Sequence, residues 1–153
     1  MKNDFSWIKD LEDGETATPI KGFPRYYVTS YGKVYSAHFK KVKQLKQYVT
    51  SAGSYYRAVM LRSNGKYTCI NVHTLVGRNL LPNYREGMYI LHRDETLPQP
   101  QVNYLSNLWV GDSGDNQRDA YAKGRKKPNT EKARKANLRK RRKGNRVKHF
   151  KCR

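Results

Sequence analysis

The placement of charge constrains this chain more than any other feature of its sequence. Residues 123 to 153 hold 16 Lys/Arg and one acid, Glu131, so this 31-residue stretch carries +15 of a formal net charge of +20. Its large apolar side chains are Leu138, Val147 and Phe150, too few to offset the entropy of ordering it. Alone it is expected to be disordered or transiently helical, with a helix from about Asn129 to Arg142 forming once a polyanion relieves the repulsion between like charges. A core must therefore come from residues 1 to 122, which hold 16 basic and 11 acidic residues, a net +5. A pI near 10.1 lies far beyond what solubility needs, and a polyanion is the default partner, nucleic acid before the plainer reading of a solvated tail or localisation signal.

The remaining composition excludes several classes. At 153 residues there is room for one ordinary domain, or two small ones with a tail. No window approaches the 18 to 20 uncharged apolar residues of a membrane span, and the opening Met1 to Trp7 is followed by acids rather than an apolar stretch. A cytoplasmic protein is expected, neither secreted nor membrane-bound, and a monomer with no obligate protein partner. Cys69 and Cys152 supply neither a four-thiolate zinc site nor a disulfide framework, and a reducing compartment fits.

From Tyr26 onward the chain alternates short β-rich runs with turns. Tyr26 to Thr29 and Lys33 to Ser36 flank Ser30-Tyr31-Gly32, a hairpin pattern. Tyr55 to Leu61 and Lys66 to Asn71 are joined through Asn64-Gly65, a pair suited to a tight turn with positive φ. Val59, Leu61, Ile70 and Val72 alternate with polar residues, which predicts one buried and one wet face, the latter with Lys33, Lys43, Lys46 and Arg57. His73 to Leu81 reads as a short helix ended by Pro82, and Met88 to Leu91 as an apolar strand ending at His92. After a Pro-containing loop, Val102 to Val110 returns as a second strand or an irregular arm. Gly111 to Gly114 then offers caps for a helix over Asp115 to Lys123, stopped by Gly124.

Three polar residues in this half could do chemistry. His92, at a strand end, has the pKa range of a general base able to take a proton from a water attacking phosphate. Asn107 carries donors and an acceptor on one short arm and can tie the two legs of the hairpin loop together. Asn116, one turn into the closing helix, offers a hard oxygen for Mg²⁺. Set against these roles, a histidine after an apolar run is more often a hydrogen-bonded structural residue, and an asparagine at a helix start is more often a cap. His73 reads as a helix-start residue packing against the sheet.

Taken together, these motifs resemble the phage-type HNH homing endonucleases that carry an N-terminal nuclease-associated DNA-binding module. Trp7 followed by Gly22-Phe23-Pro24-Arg25-Tyr26-Tyr27-Val28-Thr29-Ser30-Tyr31-Gly32-Lys33-Val34-Tyr35-Ser36 is similar to the module's pattern, and Val72-His73-Thr74-Leu75-Val76 to the helix preceding the nuclease core. Leu91-His92-Arg93-Asp94, Ser106-Asn107-Leu108-Trp109 and Gly114-Asp115-Asn116 match the three letters of His-Asn-His in the variant ending in Asn.

The resemblance implies an α+β fold. A small antiparallel β module (1–50) would be followed by a ββα-metal nuclease core (51–122) and a basic DNA-binding tail (123–153). It implies a metal-dependent, site-specific endonuclease that nicks or cuts duplex DNA, using Mg²⁺ or Mn²⁺, with His92 as general base, Asn107 bracing the loop and Asn116 binding the metal. Where the family places a second metal ligand directly before the base, this chain has Leu91; the missing oxygen would come from Asp94 or Asp112, or from DNA phosphate with Asn116 alone. Arg25, Lys33, Lys43, Lys46 and Arg57 would position the duplex, with Arg125, Lys126, Lys127, Arg139, Lys140, Arg141 and Arg142 following its backbone. Gln44, Gln47 and Arg57 are the candidates for reading bases. The alternative is a non-catalytic nucleic-acid-binding protein, derived from an HNH nuclease or of ribosomal type.

Overall fold

The computed structural model describes residues 5–52, 54–127, 130, 131, 134, 135 and 138. The chain divides into two compact units, one running to Gly111 and a second beginning at Asp112.

The first unit opens with a four-stranded antiparallel sheet in chain order, β1 (Ala17–Pro19), β2 (Tyr26–Thr29), β3 (Val34–Ser36) and β4 (Lys43–Gln44). Strands β2 and β3 are the hairpin expected around Gly32, with Tyr26 opposite Ser36 and Val28 opposite Val34. Gly32 closes the turn at a φ of 73°, a conformation that favours glycine. A second antiparallel sheet follows from β5 (Tyr48–Val49), β6 (Arg57–Ser63) and β7 (Lys66–Asn71). Asn64 and Gly65, at φ of 50° and 75°, form its tight turn, since two consecutive left-handed residues match the twist of the flanking strands. Cys69 on β7 is disulfide-bonded, which departs from the reduced thiol expected.

Helix α1 (Val72–Leu80) starts one residue before the expected His73. It buries Val72, Leu75 and Val76, an apolar stripe at helical spacing, and Pro82 follows its end. Each such side chain contributes about 1.5–3 kcal/mol when fully removed from water. The stripe joins a core with Val28 and Val34 from the first sheet and Val59, Leu61 and Ile70 from the second.

Ile90 and Leu108 complete this core from a two-stranded ladder, β8 (Tyr89–His92) antiparallel to β9 (Leu108–Gly111). Between these strands the run from Val102, expected as a second strand or an irregular arm, is in part each: two 3₁₀ turns, Gln101–Asn103 and Leu105–Asn107, lead into β9. The second unit begins with α2 (Ser113–Ala122), capped at Asp112. Four described residues of the expected tail helix, Glu131, Arg134, Lys135 and Leu138, are helical, and the rest of that stretch lies outside the described residues. Among the described residues no helix is long and apolar enough to cross a membrane.

Gly77 explains how closely α1 approaches β8. A Cβ at this position would lie 2.6 Å from Ile90 Cδ1 and Cγ2. In an open helix interior Gly→Ala stabilises by about 1 kcal/mol. Here the Gly77→Ala variant is expected to lose about 1–3 kcal/mol through overpacking. Urea unfolding is the check, and a midpoint at or above that of the wild type would contradict this packing.

Candidate active site

Strand and helix periodicities place two histidines side by side. Successive side chains on β8 alternate, so His92 and Ile90 share a face, about 6.7 Å apart along the strand. His73 and Gly77 are one helical turn apart on α1, about 6 Å along its axis. With Ile90 seated over Gly77, the matching repeat brings His92 against His73, with ring centroids 4.8 Å apart. Tyr55 meets the His92 ring edge-on at 5.3 Å, and Tyr56 packs on both imidazoles, at 5.9 Å from His92 and 5.1 Å from His73. Tyr55 donates a hydrogen bond to the Tyr56 hydroxyl at 3.0 Å. Burial, then Tyr56 and Glu95, raise the Tyr55 pKa, so this phenol stays protonated.

His92 is 2% exposed, and its Nε2 lies 3.0 Å from Oδ1 of Asn103. His73 is buried as well, with its Nδ1 lacking a hydrogen-bond partner. Burial, and secondarily the charge of His92, push the His73 pKa down from 6.5 to about 3.

Asn107 uses its whole amide. Its Oδ1 accepts from Asp94 N at 3.0 Å, and its Nδ2 donates to the carbonyls of Asp94 and Val102, both at 2.8 Å. Its own carbonyl accepts from Arg93 N at 2.8 Å. Both legs of the 93–107 loop are thereby held by one residue. Asn116 lies in the second unit, in the first turns of α2, with its backbone N–H donating to Asp112 O at 3.0 Å.

The carboxylates expected as metal ligands have local structural partners. Asp94 Oδ1 accepts from Thr96 N at 2.8 Å and from Thr96 Oγ1 at 2.6 Å, closing a turn. Asp112 Oδ1 accepts from Asp115 N at 2.8 Å, and Asp115 Oδ2 accepts from Asp112 N at 3.1 Å, a reciprocal capping box. The backbone N–H of Asp112, then the Arg118 guanidinium, holds the Asp115 carboxyl below the usual range.

The expected DNA-binding residues divide. Arg25, Lys43 and Lys46 are exposed, with the Lys46 ammonium 5.8 Å from the Tyr48 ring centre. Lys33 departs from the expected wet face. Its Nζ, with a side chain 16% exposed, pairs with Glu12 at 2.9 Å and with the buried Glu15 at 3.0 Å, so two carboxylates neutralise it. Arg57 is half-buried and donates to Ser54 O at 3.4 Å. Gln47 donates to Gly32 O at 2.7 Å, whereas Gln44 is exposed. Arg125 pairs with Asp119; Lys126 and Lys127 are exposed. Arg139, Lys140, Arg141 and Arg142 lie outside the described residues.

No protein-family model and no curated protein matches the sequence. The structure is similar to that of the HNH homing endonuclease I-HmuI, an enzyme that binds and cleaves DNA, with a TM-score of 0.63 and 27% identity over 82% of this chain and 68% of the other. The fold is HNH endonuclease-like. An HNH site usually works with a divalent cation. Among the described residues no three His, Cys, Asp or Glu side chains come together to hold an ion. Strand alternation turns Leu91 away from His92; it is itself apolar and buried, and Asp94 and Asp112 are engaged as described. Leu91 thus offers no ligand, and the described His, Cys, Asp and Glu side chains build no cation site among themselves.

Sequence reading missed Gln99, Asn103, Tyr55 and Tyr56 around His92. The four-residue spacing of Gln99 and Asn103 was the available signal, masked by the prolines beside them.

The buried imidazole of His73 makes stability pH-dependent. An unfolded chain takes up its proton near pH 6.5, the folded chain only near 3. The contribution is therefore complete above about pH 6.5 and is lost as pH falls toward 3, at up to about 1.4 kcal/mol per pH unit. His73→Phe is expected to flatten the fall in urea-unfolding stability between pH 7 and 5. Equal slopes in wild type and variant would contradict a neutral buried His73.

Proposed function

We propose that this chain is a site-specific DNA endonuclease of HNH type, hydrolysing a phosphodiester of duplex DNA with His92 as general base. One observation carries the reading: His92 stands at the end of β8, at the mouth of a loop whose legs Asn107 braces, within an HNH endonuclease-like fold. In the reaction a water oxygen bonds to phosphorus as the ester P–O bond breaks. The proton leaving that water passes to the His92 imidazole, and the departing oxygen is reprotonated by solvent. Exposed cations at Arg25, Lys43, Lys46, Lys126 and Lys127 place the duplex, and Gln44 is the exposed candidate for a base contact.

A second reading, a DNA-binding protein that has kept the nuclease fold without its chemistry, is favoured by Leu91 and by the burial of His92. Nicking of supercoiled plasmid carrying a candidate target, in Mg²⁺, Mn²⁺ or EDTA, separates the two. His92→Ala is expected to lower the nicking rate by roughly a hundredfold or more while gel retardation is kept. Equal nicking by that variant would remove His92 from the mechanism, and retardation by a wild type that never nicks would establish the second reading.

Binding itself is expected to be dominated by phosphate contacts. With ~6 phosphates neutralised, affinity for a DNA fragment falls by roughly a thousandfold between 50 and 200 mM salt. Retardation insensitive to salt over that range would contradict the electrostatic role of the cations.

A further inference from the structure

We propose that Gln99 and Asn103 are positioning residues that fix the tautomer of His92, with hydrogen on Nε2 and the basic lone pair on Nδ1. The hydrogen-bond chain starts from a group whose role is unambiguous. The backbone carbonyl of Tyr55 can only accept, so the Gln99 atom 2.5 Å from it is the donor Nε2. Gln99 then turns its Oε1 toward Asn103, whose Nδ2 donates to it at 3.3 Å. That orientation leaves Oδ1 of Asn103 facing His92 Nε2 at 3.0 Å. An amide oxygen accepts and never donates, so Nε2 carries the hydrogen, and in the neutral ring the lone pair is on Nδ1.

Each link is held by backbone rather than by the imidazole it orients. Asn103 is 1% exposed, and its own N–H donates to Pro100 O at 3.0 Å in the first 3₁₀ turn. The turn at Gly32 packs beside it, with Asn103 Cβ 3.4 Å from where a Gly32 Cβ would stand. Reversing the Asn103 amide would set its oxygen against Gln99 Oε1, exchanging a hydrogen bond for a contact between two acceptors. The same Oδ1 accepts from the imidazolium formed when His92 takes up a proton, so it serves both protonation states.

The tautomer is a property of the chain alone; its catalytic meaning, that Nδ1 is the atom receiving the proton of water, rests on the endonuclease reading. The test uses the full chain with ¹⁵N-labelled imidazoles and long-range ¹H–¹⁵N correlation spectra, without DNA. Wild type is expected to show Nε2 protonated and Nδ1 unprotonated. Asn103→Leu and Gln99→Met are expected to give a mixture of tautomers, whereas Asn103→Asp keeps hydrogen on Nε2 and moves the His92 titration to higher pH. Gln99 is half-buried, so Gln99→Met keeps the test open should Asn103→Leu unfold. Hydrogen on Nδ1 in wild type, or an unchanged tautomer in Gln99→Met, overturns the proposal. In plasmid nicking, Gln99→Met is expected to lower the rate about tenfold with retardation unchanged. If the spectra behave as described and wild type nicks nothing, the endonuclease reading fails and the tautomer assignment stands; if wild type nicks and Gln99→Met nicks equally fast, the positioning role fails.

Discussion

Between His92 and Leu108 the chain leaves the β8–β9 ladder for residues 93–107, and the side chain of Asn107 returns it in register. Closing a loop of this length costs on the order of 2 kcal/mol in chain entropy. The three side-chain bonds of Asn107 contribute roughly 1 kcal/mol each, enough to offset that cost. Two of them join it to Asp94, the second residue after His92, and the third joins it to Val102, the neighbour of Asn103. One amide therefore sets the end of the strand that bears the histidine and the turn that bears its hydrogen-bond acceptor. Nothing smaller could do both, because the task needs an acceptor and two donors on a single short arm.

The loop is also buttressed from the N-terminal sheet. Tyr31 stacks on Tyr104 with ring centroids 4.4 Å apart and planes within 6°, and Leu105 N donates to Ser30 O at 2.8 Å. Gly32, between these contacts and Lys33, presents no side chain to Asn103 and so allows the approach. The β2–β3 turn thus has two roles: it reverses the first hairpin, and it forms a wall behind the residues that hold His92. The half-buried Lys33 has a structural use in the same place. Held by Glu12 and Glu15, it anchors the segment before β1 to the base of this turn, and both carboxylates raise its pKa against the lowering effect of its own burial.

What was legible in the sequence follows from periodicity and turn chemistry. Asn64-Gly65, the α1 stripe, the apolar run into His92 and the Asp112 cap each state their structure locally, and each element stands within a residue or two of where the pattern puts it. The role of Lys33 was not local. Its partners Glu12 and Glu15 lie 21 and 18 residues earlier, so a charge map reads as exposed a lysine that folding neutralises. Val102 to Val110 could be read only as a second strand or an irregular arm, because residues 102 to 107 gain their contacts from Ser30 and Asp94 rather than from a neighbouring ladder, and 3₁₀ turns meet them. His73 was rightly read as a packing residue, yet its contact with His92 required knowing that a helical turn and two strand residues would run in step.

That pairing decides where a proton can reside. Two imidazolium charges 4.8 Å apart would repel by about 3 kcal/mol at an effective dielectric near 20, so the pair accommodates one charge and not two. The surroundings distinguish the two rings. His73 has Nδ1 buried without a partner, and burial keeps it neutral across the physiological range. His92 has the oxygen of Asn103 against Nε2, an acceptor that stabilises a protonated ring as well as a neutral one. A neutral His73 beside His92 is therefore more than filler: a cation at that position would oppose proton uptake by the only imidazole of the pair that the loop equips to hold one.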